Sequence, residues 1–267
     1  MKQFTAFTLF ILLSIQAWAQ DTIPFRGVFV SRIEQELNTQ EEVKDFVDYM
    51  NRHDLNSVMV YGASGRSTNS QEAARIFKNR VSQLKPEVTW VAVSQSENDL
   101  IRAEGFYDPF DAFMLECEWW VKWFPTYRAF KRKVEHIQLI KPEMDVWLYI
   151  GWLKNRIRKA EKQAEHLVNY ADVICIHDYE EIPSHDFIQE RLELIGKAAE
   201  KAGKKVKIVI LFSAEKKFSS NALIQNKYLD VYTNVIYGSQ RVNAEASWLS
   251  FIDFHGFSVF SYNRRHQ

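Results

Sequence analysis

Eight short apolar runs, spread along the chain and separated by helix-like segments, constrain this sequence more than any other feature. They cover residues 26–32, 57–62, 88–94, 112–118, 145–152, 172–179, 205–213 and 256–262. Most are continuously apolar rather than alternating, as parallel strands must be when both faces are covered. Helical patterns lie between them. Thr39-Gln40-Glu41-Glu42 is a capping box that opens a helix running to about Asp54, with Val43, Phe46, Val47 and Met50 on one stripe. Further helices are predicted over 70–84, stopped before Pro86, over 126–140, ended by Pro142, and over 153–170. Another spans 184–202 and is closed by Gly203. Weaker helical signals cover 221–232 and 244–254. Eight strand–helix units point to an α/β fold, a single-domain (β/α)8 barrel. A doubly wound open sheet is the alternative. The strand count favours the barrel, and no glycine-rich phosphate loop follows any strand.

The first nineteen of the 267 residues read as a secretory signal. Lys2 supplies a positive start, residues 7–15 an apolar stretch too short to span a membrane, and Ala17-Trp18-Ala19 a cleavage site. The domain is therefore expected over 20–267, secreted or periplasmic, with no membrane insertion after signal removal. A chain this long buries roughly 70–75% of its unfolded surface, enough for one large core. Basic and acidic residues balance at 34 each. That leaves no global field to attract nucleic acid. Only Cys117 and Cys175 are present. Both fall in predicted strands on opposite faces, so they read as buried thiols rather than a bridge. No residue spacing suggests a metal site or another cofactor, and a monomer is expected.

Chemistry in such a barrel belongs to the carboxyl-terminal ends of the strands. Those ends carry Arg32 and Glu34, Tyr61, Gln95 and Glu97, Glu116 and Glu118, Trp152, His177 to Glu180, Glu215, and Tyr262 with Asn263. The fourth strand stands out. By strand alternation Glu116 and Glu118 share a face with Ala112 and Met114, while Phe113, Leu115 and Cys117 face the other way. Paired carboxylates followed by Trp119 and Trp120 suit sugar chemistry, which needs acids for the glycosidic oxygen and rings to stack on pyranose faces.

The segment 110–119, Phe-Asp-Ala-Phe-Met-Leu-Glu-Cys-Glu-Trp, resembles the strand-4 signature F-D-G-x-D-x-D-x-E-Y/W of family 18 glycoside hydrolases, the chitinases and endo-β-N-acetylglucosaminidases. Phe110, Asp111 and Glu118 match. Ala112 stands for the glycine, Glu116 for the last aspartate and Met114 for the first. The sixth strand resembles the family's M-x-Y-D/N, with His177 at the methionine, Tyr179 at the tyrosine and Glu180 at the acid. The segment 256–263 resembles G-V-x-x-W-S-x-D, with Phe260 in place of the tryptophan that floors the sugar site. No long insertion separates strands 7 and 8, which is closer to the endo-β-N-acetylglucosaminidases. The resemblance implies substrate-assisted retention on N-acetylglucosamine-containing glycans. Glu118 would protonate the leaving oxygen, the substrate's own acetamide would attack, Glu116 would orient that acetamide, and Tyr179 would donate to its oxygen. A raised pKa at Glu118, from the neighbouring carboxylate and the apolar layer, would suit that role. Tyr61, Trp119, Glu180, Glu215 and Phe260 are the accompanying candidates for substrate binding.

Two other readings stay open. Met114 cannot hold the acid at 116, and the extra methylene of Glu116 shifts its carboxylate by about an ångström. Such a shift can cost a hundredfold in rate, so a sugar-binding barrel with impaired catalysis is one alternative. A retaining glycosidase using Glu118 and Glu215, at the ends of strands 4 and 7, is the other. The bland readings run alongside. His177 reads as a packed, hydrogen-bonded histidine and Glu215 as the first acid of a solvated Glu-Lys-Lys loop; of Trp119, Trp120, Trp123 and Phe124, one or two are expected at a sugar subsite and the rest packed under a loop. Lys154, Arg156, Arg158, Lys159 and Lys162 read as a solvated helix face.

Overall fold

The computed structural model describes residues 23–31, 33, 37–61, 68–94, 110–116, 118, 127–151, 153, 157–215 and 228–262. The elements run β1 (Phe25–Val30), α1 (Gln40–Arg52), β2 (Ser57–Tyr61), α2 (Thr68–Leu84), β3 (Thr89–Ser94), β4 (Ala112–Leu115), α3 (Tyr127–Ile140), β5 (Asp145–Ile150), α4 (Ile157–Tyr170), β6 (Val173–Asp178), α5 (His185–Ala202), β7 (Val206–Ser213), α6 (Tyr228–Val242), a 3-10 helix (Ser247–Phe251) and β8 (Ile252–Phe260). The strands pair in chain order, all parallel, and β8 closes on β1. This is a single-domain (β/α)8 barrel.

Two apolar layers hold it. Phe113, Leu115, Ile174, Ile176, Ile208 and Ile210 point outward into the layer beneath the helices. Phe29, Met59, Val91, Val93, Ala112, Met114, Trp147, Val173, Cys175, Val209 and Leu211 fill the barrel interior. Both cores are apolar, so the strands carry apolar residues at every position and no alternation shows. The helices form where expected. Thr39 and Glu42 make the reciprocal capping box, with Glu42 N–H donating to Thr39 Oγ1 at 3.2 Å and Thr39 N–H to Glu42 Oε2 at 2.9 Å. Helix α5 ends at Gly203. Among the described residues no helix is long and apolar enough to cross a membrane. The expected signal at 1–19 lies outside the described residues.

Two expectations need correction near the end of the chain. The weak helical signal over 244–254 resolves into the short 3-10 helix and then the first residues of β8. β8 therefore starts at Ile252, not Gly256. The reason is a bulge: Ile208 pairs with Phe254, but Val209 pairs with Gly256, leaving His255 as an extra residue. The bulge reverses which residues face inward, so no single alternation runs through the strand. Gly256 is required there, because a Cβ would lie 1.8 Å from the Phe25 carbonyl oxygen on β1. The signal predicted over 221–232 falls partly on undescribed residues, and the helix seen there is Tyr228–Val242.

The amino-terminal rim repeats one device three times. Asn56, Asp111 and Asp172 each precede an even-numbered strand. Each donates its own N–H to the carbonyl of the second residue of the preceding strand, at 2.9 Å. Each side chain accepts the N–H of that same residue: Arg26 at 2.8 Å, Trp90 at 2.7 Å and Val146 at 2.9 Å. Asp111 of the family-like motif is thus engaged in strand pairing, at the end of the barrel away from Glu116 and Glu118.

Candidate active site

Four aromatic side chains cap the interior layer at the carboxyl-terminal end: Tyr61 from β2, Tyr149 from β5, Tyr179 just after β6 and Phe260 from β8. They reach this level by the alternation that also points Met59, Trp147, Cys175 and Leu211 inward. Phe260 does so because of the His255 bulge. The rings pack around the mouth. Phe260 lies 6.0 Å from Tyr179, stacked, and 6.1 Å from Tyr61, edge-on, with Phe29 beneath at 5.6 Å.

The two acids of the fourth strand meet this cup. Met114 is fully buried below them. Tyr61 Oη donates to Glu116 Oε2 at 2.7 Å. Gly151 N–H, just past β5, donates to Glu118 Oε1 at 2.7 Å. Burial first, and then the Glu116 carboxylate, raise the Tyr61 hydroxyl far above its usual range. Burial, then Glu116, then Glu118 raise Tyr149, so both carboxylates bear on that one hydroxyl. Tyr179 is raised by burial and then by Tyr149, Glu116 and Glu215. These hydroxyls stay protonated, and that of Tyr61 donates to Glu116. Glu116, Glu118, Tyr149 and Tyr179 therefore converge electrostatically at one mouth, with Glu215 bearing on Tyr179.

His177 is half-buried within the cup. Its Nδ1 lies 3.1 Å from Tyr149 Oη, and its ring stacks on Tyr179 at 4.9 Å and on Phe187 at 5.8 Å. Burial, with the Arg191 charge adding to it, pushes its pKa down to about 3. It is a neutral, packed histidine across the ordinary pH range, in keeping with the bland reading.

Behind the cup lie Asp178, one of the strand-end residues given no role of its own by the sequence, and Arg191, which sequence reasoning missed. Asp178, the next residue on β6, points outward under α5 and is 0% exposed. Burial, followed by Glu180, pushes its pKa up to about 8, against the opposing pull of Arg191 and the Ser184 backbone. Neither of its oxygens has a donor at hydrogen-bonding geometry among the described residues. Arg191 from α5 is 2% exposed. Its Nη1 donates to the Gly151 carbonyl at 2.6 Å and its Nη2 to the Phe187 carbonyl at 2.7 Å. Burial lowers its pKa to about 10, while Asp178, Tyr149 and Glu118 raise it. Tyr149 and Gly151 were also missed. Alternation along β5 would have placed Tyr149 inward beside Trp147. Nothing in the sequence pairs Gly151 with Glu118.

The other expected site residues fall as follows. Glu180 accepts from Ser184 Oγ at 3.0 Å, ahead of α5, and is drawn into the loop rather than into the cup. Glu215 follows β7, with its N–H donating to Ser213 Oγ at 3.2 Å. Tyr262 is not on the rim. It is buried against Phe46 and Tyr49 in the outer layer, because the residues after Phe260 turn back over β1, where Tyr262 N–H donates to the Phe29 carbonyl. Cys175 is a buried free thiol in the interior. Arg32, Glu34, Gln95, Glu97, Cys117, Trp119, Trp120, Trp123, Phe124, Trp152 and Asn263 lie outside the described residues. Among the described residues no group of three His, Cys, Asp or Glu is placed to hold a metal ion.

Known structures share the architecture at low identity. An endo-β-1,4-mannanase from Cellulomonas fimi, a double mutant, superposes with a TM-score of 0.57 at 12% identity, covering 91% of this chain and 66% of that one. A GH2 β-galacturonidase from Eisenbergiella tayi bound to galacturonate gives 0.54 at 11%, covering 90% and 44%. QR15, an aldolase, gives 0.51 at 10%, covering 90% and 92%. The chain thus spans less than half the length of the β-galacturonidase it matches. Likeness at this level shows the barrel and leaves the chemistry to the site. Neither a protein-family model nor a curated protein matches the sequence.

Proposed function

We infer that this barrel is a glycoside hydrolase acting on N-acetylglucosamine-containing glycans. The observation that carries the reading is the convergence of Glu116, Glu118, Tyr149 and Tyr179 in an aromatic cup at the carboxyl-terminal mouth. The family 18 resemblance of the fourth, sixth and eighth strands supports the same assignment. Glu118 protonates the glycosidic oxygen as the acetamide carbonyl of the substrate attacks the anomeric carbon. It then takes a proton from the water that opens the cyclic intermediate, so configuration is retained. Glu116 accepts the acetamide N–H and stabilises the developing positive charge. Tyr179 donates to the acetamide oxygen, and Phe260 offers a face for the sugar ring.

The site also answers the weakness at Met114. The partner that an aspartate at 114 would provide for Glu116 is supplied by the Tyr61 hydroxyl, two strands away on β2. This favours a working site over an impaired one. The test is hydrolysis of chitooligosaccharides and high-mannose N-glycans by the wild type and Glu118→Gln. Wild-type turnover that falls by about 10²–10⁴-fold in the variant is the expected result. Turnover in Glu118→Gln at the wild-type level sinks the assignment. Glycan binding with no wild-type turnover shifts the reading to a sugar-binding barrel.

A second reading has one observation in its favour. Glu215 bears electrostatically on Tyr179 from the end of β7, which places a third carboxylate near the mouth. In a two-carboxylate retaining mechanism Glu215 would be the nucleophile. Glu215→Gln then abolishes turnover, and substrates without an acetamide are cleaved. In the substrate-assisted reading neither holds. Export through the amino-terminal signal is part of the proposal; a mature protein beginning at Gln20 is its expected mark.

A further inference from the structure

The register of β4, β5 and β6 arranges the mouth in two tiers. Leu115 pairs with Leu148, and Tyr149 with Cys175. Continued by one residue, that register sets Glu116 beside Tyr149, both on the inward face. Two residues further along, it sets Glu118 and His177 on either side of Gly151. The contacts agree with this. Gly151 N–H donates to Glu118 Oε1 at 2.7 Å, and a Cβ on Gly151 would meet Glu118 Oε1 at 3.0 Å and His177 Cε1 at 3.4 Å. From the upper tier His177 reaches the lower one, where its Nδ1 lies 3.1 Å from Tyr149 Oη. Its ring is held in that pose by the stacks on Tyr179 and Phe187.

The Tyr149–His177 bond has two possible directions, and the charges around it choose one. His177 is neutral, so its ring carries one proton. If Tyr149 donated to Nδ1, the lone pairs of its oxygen would face Glu116 and Glu118, whose charges both bear on that hydroxyl. If Nδ1–H donates to Tyr149 Oη, the hydroxyl proton turns toward the glutamates instead. The second direction is favoured, because an O–H dipole in apolar surroundings aligns with the charges beside it. Arg191 and Cys175 bear on Tyr149 too, and the Arg191 cation attracts the oxygen end of the dipole. We propose that His177 is the Nδ1–H tautomer and that Tyr149, set by this bond, is a positioning residue whose hydroxyl proton is aimed at the paired glutamates. In the proposed mechanism Glu116 keeps its charge while Glu118 gives up a proton and becomes a carboxylate. An aimed hydroxyl supports both charges without turning at the moment of reaction. The positioning role rests on the assignments of Glu116 and Glu118; the tautomer does not.

The tautomer is read by NMR. In protein labelled with 15N-histidine, long-range 15N–1H correlations at neutral pH separate the two neutral forms, and the signals of His177 are those lost in His177→Gln. An Nδ1–H pattern is expected. An Nε2–H pattern puts the tyrosine proton on the histidine side and overturns the proposal. The effect on the acids is read by a double-mutant cycle with an aryl β-chitobioside as substrate. Tyr149→Phe keeps the ring and removes the hydroxyl. It is expected to lower kcat by about tenfold with KM nearly unchanged, the lower end for a polar group acting on a charge. In a Glu116→Gln background, where that charge is gone, the same change should cost less than about threefold. Equal losses in the two backgrounds, or no loss in the first, overturn the positioning role alone. Absence of wild-type turnover sinks the glycosidase reading and the positioning role with it, and the tautomer then stands or falls by its own spectrum.

Discussion

At the amino-terminal rim, Asn56, Asp111 and Asp172 each close a reciprocal pair with the backbone of the preceding strand. At the carboxyl-terminal rim, Glu116 takes a tyrosine hydroxyl and Glu118 a backbone N–H, while both bear on raised tyrosines. Both ends use short acidic or amide side chains beside strand termini. At one end the partners belong to the strand pairing itself, so the groups register the sheet. At the other the partners are side chains and a loop, so the acids are oriented without being absorbed. The difference matches the division between a stabilising rim and a rim available for chemistry that this fold generally shows. It also divides the family-like motif, since Asp111 serves the lower rim and Glu118 the upper.

Substitutions at each rim sharpen this contrast. After Glu118 itself, the largest effect is expected at Glu116. Glu116→Ala removes the charge that the proposed mechanism sets beside the acetamide and should lower kcat by about 10²–10³-fold with little change in melting temperature, as removal of a preorganised stabilising group does. Asp178, behind the upper rim, comes next, and its effect depends on pH. Its pKa rises from 3.8 to about 8 on folding, so the folded state holds a proton that the unfolded chain has released. Unfolding then releases protons, and stability falls as pH rises from about 4 to about 8. His177, lowered from 6.5 to about 3, works oppositely, losing stability as pH falls through that window. The two oppose below pH 6.5, and only Asp178 acts above it. Melting temperature should therefore drop between pH 6.5 and 8.5. Asp178→Asn, which mimics the protonated acid, should remove that drop, each unit of displacement being worth about 1.4 kcal/mol. An unchanged pH profile in Asp178→Asn counts against the buried, proton-holding state.

Tyr61→Phe should have a smaller effect, about tenfold on kcat, because Glu116 loses the Tyr61 hydrogen bond but keeps its charge; that bond is worth about 1.5 kcal/mol. A loss equal to that of Glu116→Ala would mean that Tyr61 acts on substrate directly. The smallest effect is expected at the lower rim. Asp172→Ala leaves Val146 N–H without its acceptor and should cost about 1–2 kcal/mol, a few degrees of melting temperature, with kcat unchanged.

Much of this was legible in the sequence, for physical reasons. The eight strands show as apolar runs because the barrel has a core on each side of the sheet. Glu116 and Glu118 were placed on one face with Ala112 and Met114 by alternation alone, and the interior layer contains Ala112 and Met114. Alternation failed at β8, where one extra residue at His255 reverses the faces and hides four residues of strand. It misplaced Tyr262, which lies past the strand and turns outward. Arg191 was beyond reach because its meaning depends on Gly151, 40 residues earlier, and helix periodicity alone marks it as an oddity among Ile188, Leu192 and Ile195. The bond from Tyr61 to Glu116 was hidden likewise, since the two lie 55 residues apart.

The claim that the two rims divide structure from chemistry is tested most directly by comparing two double variants on one chitooligosaccharide substrate. Glu116→Gln with Glu118→Gln changes the upper pair, and Asp111→Asn with Asp172→Asn changes the lower. Initial rates, measured below each variant's melting temperature, should fall to background in the upper variant and stay near the wild type in the lower. Equal rates in the two variants, or turnover surviving in the upper one, would contradict the account.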